Sequence, residues 1–162
     1  MIVLVRAATY AALFVGLVLV FLPARVLSWS GITPPAALGA PQVAGLVVGA
    51  AGGMLALWCV GTFALVGRGT PAPFDPPRRL VVQGPYRVVR NPMYIGAALA
   101  LAGAALYYQS LPLAAYTALF LLATHIFVVW YEEPTLGRTF GEEYEAYRRR
   151  VPRWRPRLGA TP

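Results

Sequence analysis

The sequence contains no lysine, and charged residues of either sign are few. All fourteen basic residues among its 162 residues are arginine and only six residues are acidic, which gives a formal net charge of +8. Charged residues make up 12% of the chain, against roughly 25% in ordinary soluble domains, while 58% are hydrophobic. This composition predicts an integral membrane protein. The arginines occur in two blocks that we place on one membrane face, so we expect no nucleic-acid partner.

Cysteine and histidine each occur only once. Cys59 lies within an apolar segment, which excludes an intrachain disulfide or a cysteine metal cluster and favours a packing role. We therefore expect no metal site. His125 also lies in an apolar segment, where an ionisable side chain usually faces a protein interior or a functional cavity. A histidine that is simply hydrogen-bonded to a neighbouring helix remains the alternative.

Four apolar runs predict about four transmembrane helices, since roughly 20 apolar residues cross the hydrocarbon of a bilayer. The first covers residues 7–21 with the apolar residues 2–5 before it. We favour an anchor over a signal peptide here, because Arg6 lies inside the run and no clear cleavage site follows. Residues 23–41 are expected to form a connection. The other spans are predicted at residues 43–66, 92–108 and 113–131, with a tight hairpin between the last two.

Two of these spans carry stripes of small residues. Such stripes allow helices to approach closely, so we expect both to lie at helix contacts. The stripe of the second span is Gly45, Gly49, Gly53 and Gly61, and that of the third is Gly96, Ala100 and Ala104.

The arginines predict the topology. Residues 67–92 contain five arginines and the chain after Tyr131 contains seven, while the other two connections have one between them. By the positive-inside rule both rich segments are cytoplasmic. The first is read as an interfacial loop, whose residues 67–72 match a dinucleotide-binding pattern but run into prolines where a helix should begin. Residues 140–154 are predicted to form an amphipathic cytoplasmic helix at the membrane surface.

The chain from Gly84 to Tyr94 leads from the basic loop into the third helix. Asn91 is a good N-cap, whose side-chain oxygen would accept from an amide one turn on, and Pro92 suits the first helical position. The free amides of this helix start, together with Arg87 and Arg90, would favour an anionic group.

Two adjacent carboxylates, Glu132 and Glu133, follow His125 at the end of the fourth predicted span. A spacing of seven residues places Glu132 on the face of His125, and we expect that face to look inward. One of the two carboxylates could simply be a solvated helix end. A pair at a helix C-terminus also requires a nearby cation, which Arg87, Arg90 or the tail would supply.

These residues resemble the isoprenylcysteine carboxyl methyltransferase family, within the wider group that includes phospholipid N-methyltransferases. Asn91 stands where the commonest form of the first motif has histidine. The resemblance covers roughly residues 67–156 and consists of Gly84-x-Tyr86-x-x-x-Arg90-x-Pro92-x-Tyr94-x-Gly96, then Glu132-Glu133-x-x-Leu136-x-x-x-Phe140-Gly141-x-x-Tyr144-x-x-Tyr147, then Arg150-Val151-Pro152.

The resemblance implies a membrane methyltransferase that uses S-adenosylmethionine. Arg90 and Glu132 are the implied catalytic residues, with Glu132 pairing with the cofactor's ammonium. The implied cofactor-binding residues are Tyr86, Arg90, Asn91, Pro92, Met93, Tyr94, His125 and Glu132.

We thus expect one membrane domain over residues 1–162, in which residues 1–66 form two spans and residues 67–162 carry the methyltransferase-like motifs. It would act at the cytoplasmic face of the cell inner membrane on a lipophilic or small thiol, amine or carboxylate acceptor, with membrane lipids around it and no obligatory protein partner. One alternative is a non-catalytic basic membrane protein that binds anionic lipid or a partner. A membrane reductase on a related scaffold is another, but no residue argues for its nicotinamide cofactor.

Overall fold

The computed structural model describes Thr9, residues 12–67 and residues 79–156. These residues form helices and no strand, which confirms the predicted all-α membrane class. Helices α1, α2 and α4 are long and apolar enough to cross a membrane, and α3 is a shorter apolar helix of 16 residues. The helices in chain order are α1 (Ala12–Trp29), α2 (Ala40–Thr62), α3 (Pro92–Tyr107), α4 (Leu111–Phe140) and α5 (Glu142–Arg150).

Some predicted features lie outside the described residues. They include the part of the first predicted span before Ala12, except Thr9. They also include the pattern at residues 67–72 beyond its first glycine, and Arg68, Asp75 and Arg78 of the loop. The division of the chain at residue 66 stays a prediction.

Helix α1 continues where the sequence predicts a connection. It passes through Pro23 and ends at Trp29, so the prediction that residues 23–41 form a connection is wrong in its first part. The reason is a π-helical turn at Val15–Phe21, directly before the α-helical segment Leu22–Trp29. Proline has no backbone donor, and local π-helical turns let a membrane helix accommodate that loss.

Helices α2 and α3 pack with their backbones in close contact. A Cβ atom added at Gly52 would lie 2.5 Å from the Gly96 carbonyl oxygen, and one added at Gly45 would lie 2.6 Å from the Gly103 carbonyl oxygen. Real side chains do not tolerate such distances, so glycine is required at this contact. The interface confirms that small residues join these helices, as predicted.

The composition of the two stripes differs from the prediction. Space is open around Gly53 and Gly61, and Gly52 occupies the interface in their place. On α3, Gly103 takes the position expected for Ala104. A spacing of four residues turns by about 400°, so it drifts off one face by roughly 40° at each step, whereas alternating steps of four and three stay on it. The contact residues follow that alternation, at Gly45, Gly49 and Gly52 and at Gly96, Ala100 and Gly103.

The hairpin between α3 and α4 is confirmed. Ser110 precedes α4, and its side-chain oxygen accepts a hydrogen bond of 3.2 Å from the Leu113 amide. Gln109 has a φ of 48°, which turns the chain between the two helices. Helix α4 begins at Leu111, two residues before the predicted start.

The prediction that the fourth helix ends at about Tyr131 is wrong, because α4 continues to Phe140. It contains a π-helical turn at Val128–Glu132, and Pro134 follows that turn by two residues, as Pro23 follows the turn in α1. A further π-helical segment, Phe63–Gly67, follows α2. The two carboxylates therefore lie inside a continuous helix. The expected opposition from a helix C-terminus does not apply to them.

The π-helical turn of α4 also decides which carboxylate is buried. Val128 is on the buried face, and the next buried residue is five positions later, at Glu133. A π-helical turn adds a residue, which rotates the following residues by up to about 100° relative to an uninterrupted α-helix. The buried residues of this helix are Leu113, Thr117, Phe120, Thr124, Val128 and Glu133.

Adjacent glycines in α2 provide a test of the α2–α3 contact. We expect Gly52→Ala to lower the free energy of unfolding by about 1–3 kcal/mol, the usual cost of overpacking. Gly53→Ala is the matched control and should be neutral or stabilising by up to about 1 kcal/mol, since alanine costs less in a helix than glycine. Unfolding in detergent, followed by circular dichroism, measures both. Equal effects would mean that Gly52 is not at the interface.

Candidate functional site

The start of α3 is held by the C-terminal segment of the chain. Pro92 is the first helical residue, as predicted. Asn91 is buried and occupies the predicted N-cap position. The predicted capping hydrogen bond to its side chain is wrong, because the side chain makes none. Its Nδ2 atom instead donates to the Arg153 carbonyl oxygen at 3.2 Å, and the Arg90 amide donates to the Pro152 carbonyl oxygen at 2.9 Å.

Glu133 is the centre of a buried ionic cluster. Its side chain is 9% exposed, and its Oε1 atom lies 2.8 Å from Arg90 Nη1. Arg153 binds both of its oxygens, with Nε 2.6 Å from Oε1 and Nη2 2.8 Å from Oε2. Such a paired contact is the strongest geometry between arginine and a carboxylate. The hydrogen bonds to Glu133 raise the pKa of Arg153. Arg90 and the tail thus supply cations as expected, but to Glu133 alone and not to both carboxylates.

Arg90 joins this cluster to α5. Its side chain is also 9% exposed, and Nη1 donates to the Tyr144 hydroxyl at 3.2 Å. The Nε atom is buried and has no hydrogen-bond partner among the described residues. A buried donor without a partner is costly, which makes this atom a candidate donor to a bound acceptor.

Glu132 has a different environment from its neighbour. It is partly buried, and its Oε2 atom accepts a 3.1 Å hydrogen bond from the Tyr94 hydroxyl. Within the described part of the chain, guanidinium groups contact Glu133 and none contacts Glu132. Neither carboxylate is therefore a simple solvated helix end. Glu133 is already neutralised by arginine, while Glu132 is held by a neutral group.

Tyr86 lies in a short 3₁₀ helix, Gly84–Arg87, that contacts the end of α2. It is buried with Cys59, and Met93 packs against the same cluster. Its carbonyl oxygen accepts a 2.7 Å hydrogen bond from the Tyr147 hydroxyl of α5. Burial raises the pKa values of the Tyr86 and Tyr147 phenols, so both remain neutral donors.

His125 is separate from the buried face of α4. Its side chain is exposed, so the prediction that its face looks inward is wrong. Its Nδ1 atom accepts a 3.0 Å hydrogen bond from Trp154 Nε1, and the two ring centroids are 6.0 Å apart. The shared face with Glu132 is lost because the π-helical turn lies between the two residues.

Four residues of the site were assigned no site role from the sequence, although the first two belong to the family motif: Tyr144, Tyr147, Arg153 and Trp154. The aromatic face of residues 140–151 is visible in the sequence, where the amphipathic pattern predicts a membrane-surface element. In the structure Tyr144 and Val151 are buried. The α5 face thus covers the cluster around Arg90, in the manner of a lid.

The fold and site define the class: an integral membrane protein of helices with a buried ionic cluster at the start of α3. The family model of phospholipid methyltransferases matches residues 40–143, and the chain therefore belongs to this family. This confirms the resemblance found in the motifs. The match includes α2, α3, all of α4 and both carboxylates, but not Arg153 or Trp154.

One curated relative matches part of the chain. The chain is 35% identical over 100 residues to the nickel-cobalt-cadmium resistance protein NccN of Alcaligenes xylosoxydans xylosoxydans, which is 60% of this chain and 46% of that protein. The chain thus spans less than half the length of this relative. No solved structure matches the present chain.

The contrast between the two carboxylates can be tested by stability. Glu133→Gln removes the charge that both guanidinium groups contact, and we expect it to lower the free energy of unfolding by roughly 1.5–3 kcal/mol, the range for hydrogen bonds to charged groups. Glu132→Gln should cost less, because its described partner is a neutral phenol. Unfolding of the ligand-free protein in one detergent measures both, with Glu143→Gln on the exposed face of α5 as control. A larger loss for Glu132→Gln would contradict this assignment.

Proposed function

We propose that this chain is a membrane methyltransferase that uses S-adenosylmethionine as its methyl donor. It methylates a lipophilic or small thiol, amine or carboxylate acceptor at the cytoplasmic face of the cell inner membrane. The observation that carries the proposal is that Glu132, within the segment that matches the family, is held by the Tyr94 hydroxyl instead of a guanidinium group. A partly buried carboxylate in that state is suited to a cationic ligand.

The residues present fit the charged groups of this cofactor. Glu132 would hold its ammonium, and the unpartnered Arg90 Nε, with the amides at the start of α3, would hold its carboxylate. The Arg90 Nη1 atom is already occupied by Glu133 and Tyr144, so only part of this side chain is available. When bound, the cofactor supplies a methyl group activated by its sulfonium.

The chain's own residues bind and orient. Tyr94 directs the Glu132 carboxylate, and Pro92 begins the helix that presents both groups. Asn91 holds the C-terminal segment against this helix start. Tyr86 and Met93 pack on the apolar side, where they exclude water. A site with few waters favours a step that discharges a positive charge, so catalysis here rests on binding and alignment. The acceptor would enter laterally from the bilayer.

The alternative function is a non-catalytic basic membrane protein that binds anionic lipid or a partner. Exposed arginines are sufficient for that role. A basic anchor does not require a buried Arg90–Glu133–Arg153 cluster, nor a carboxylate oriented by a tyrosine. The buried cluster therefore favours the enzyme.

Cofactor binding is the direct test of the proposed function. We expect the purified protein in detergent to bind S-adenosylhomocysteine, as measured by calorimetry. Glu132→Gln should weaken binding by roughly 1.5–3 kcal/mol, because it removes a charge from a hydrogen bond to an ammonium. Glu143→Gln, on the exposed face of α5, should bind like the wild type. Absence of binding by folded wild type at millimolar ligand would refute the proposal.

The membrane orientation can be tested by cysteine labelling. Gln83 and Arg155 are exposed, and both belong to arginine-rich segments that the proposal assigns to the cytoplasmic side. We expect Gln83→Cys and Arg155→Cys to be labelled from the same, cytoplasmic side of sealed vesicles. The native Cys59 is fully buried and gives the background. Labelling from opposite sides would overturn the shared site.

A further inference from the structure

The chain after α5 crosses the start of α3 and then reaches α4. We call residues 151–154 the strap. Val151 is buried, and the next two residues accept hydrogen bonds through their carbonyl oxygens from the Arg90 amide and the Asn91 side chain. The side chains of Arg153 and Trp154 then bind Glu133 and His125. Consecutive residues of an irregular segment thus contact two helices at the site.

These contacts link the strap to the groups that the proposed function uses. Arg153 occupies both oxygens of Glu133, and Glu133 in turn binds Arg90. Without Arg153, the Glu133 carboxylate would keep only its contact with Arg90, and the orientation of both groups would be less fixed. Arg153 itself is 32% exposed, so it reaches the cluster from the outside.

We propose that the strap positions the binding site, with Arg153 as the positioning residue that orients Glu133 and, through it, Arg90. Trp154 anchors the strap on α4 through its hydrogen bond to His125. The proposal deepens the proposed function and rests on it for the choice of ligand. It adds to the site a segment that lies outside the residues matched by the family model.

The geometry explains why arginine is needed at this position. The guanidinium presents two parallel donors, Nε and Nη2, to the two carboxylate oxygens. A lysine ammonium is a compact charge that cannot make this paired contact. Arg153→Lys should therefore restore the charge without the orientation.

Binding of S-adenosylhomocysteine tests the positioning role. We expect Arg153→Ala to weaken the affinity about tenfold to a hundredfold, by analogy with the range seen when residues that orient metal ligands are removed. Arg153→Lys should fall between Arg153→Ala and the wild type. Arg155→Ala, two residues later and exposed, is the matched control and should change the affinity less than about twofold. Ligand-free unfolding of each variant sets a temperature at which all are folded. An affinity of Arg153→Ala equal to that of Arg155→Ala would overturn the proposal.

A second readout needs no ligand, because His125 is the only histidine in the chain. A hydrogen bond from Trp154 to Nδ1 requires that nitrogen to be unprotonated, so the neutral imidazole carries its proton on Nε2. The nitrogen chemical shifts of labelled histidine report this state. We expect the Nε2–H form in the wild type, and a mixture of tautomers in Trp154→Phe and in Arg153→Ala. An unchanged signal in both variants would mean that the strap does not anchor on α4.

The two proposals can fail separately. If the folded wild type binds no S-adenosylhomocysteine, the proposed function fails, and the strap is then judged by coupling between Arg153→Ala and Glu133→Gln. We expect the double variant to be clearly more stable than the sum of the two single losses predicts, since each single variant already removes the same contact between Arg153 and Glu133. Additive losses would overturn the positioning role of Arg153 independently of any ligand.

Discussion

The structure depends on one buried carboxylate, Glu133, and the two guanidinium groups that neutralise it. Arg90 lies just before α3, Glu133 in the last third of α4, and Arg153 in the strap. A buried charge without partners is strongly unfavourable, so the three segments stabilise one another only when all are in place. The cluster therefore fixes the position of the C-terminal segment and leaves Glu132 beside it with a neutral partner, Tyr94.

Close packing between α2 and α3 sets the position of this cluster. Glycine contacts bring the two backbones together, and the end of α2 then lies against the chain that precedes α3. Gly84 has a φ of 58°, and a Cβ atom there would lie 3.3 Å from the Trp58 indole nitrogen. Tyr86 follows and is buried against Cys59. The approach of two helices thereby determines where Arg90 enters the site.

Among the described residues three segments are π-helical, and two of them lie shortly before a proline within a longer helix. One precedes Pro23 in α1 and the other precedes Pro134 in α4, and in each case the helix continues beyond the proline. In α4 the added residue moves Glu133 onto the buried face after Val128. An uninterrupted helix would place Tyr131 or Glu132 there instead, and Glu133 would not lie between the two guanidinium groups.

The sequence by itself determined the all-α membrane class, the helix start at Pro92, the α3–α4 hairpin and the family motifs. Each depends on composition or on residues close together in the chain. The tertiary structure alone decided that Gly52 faces α3, that Asn91 binds the strap instead of capping its helix, and that Glu133 is the buried carboxylate. It also brought Arg153 to Glu133, a residue 20 positions away. Helical periodicity assumes a regular turn, and a π-helical turn changes the phase of every residue after it, so these contacts exist only once the helices have packed.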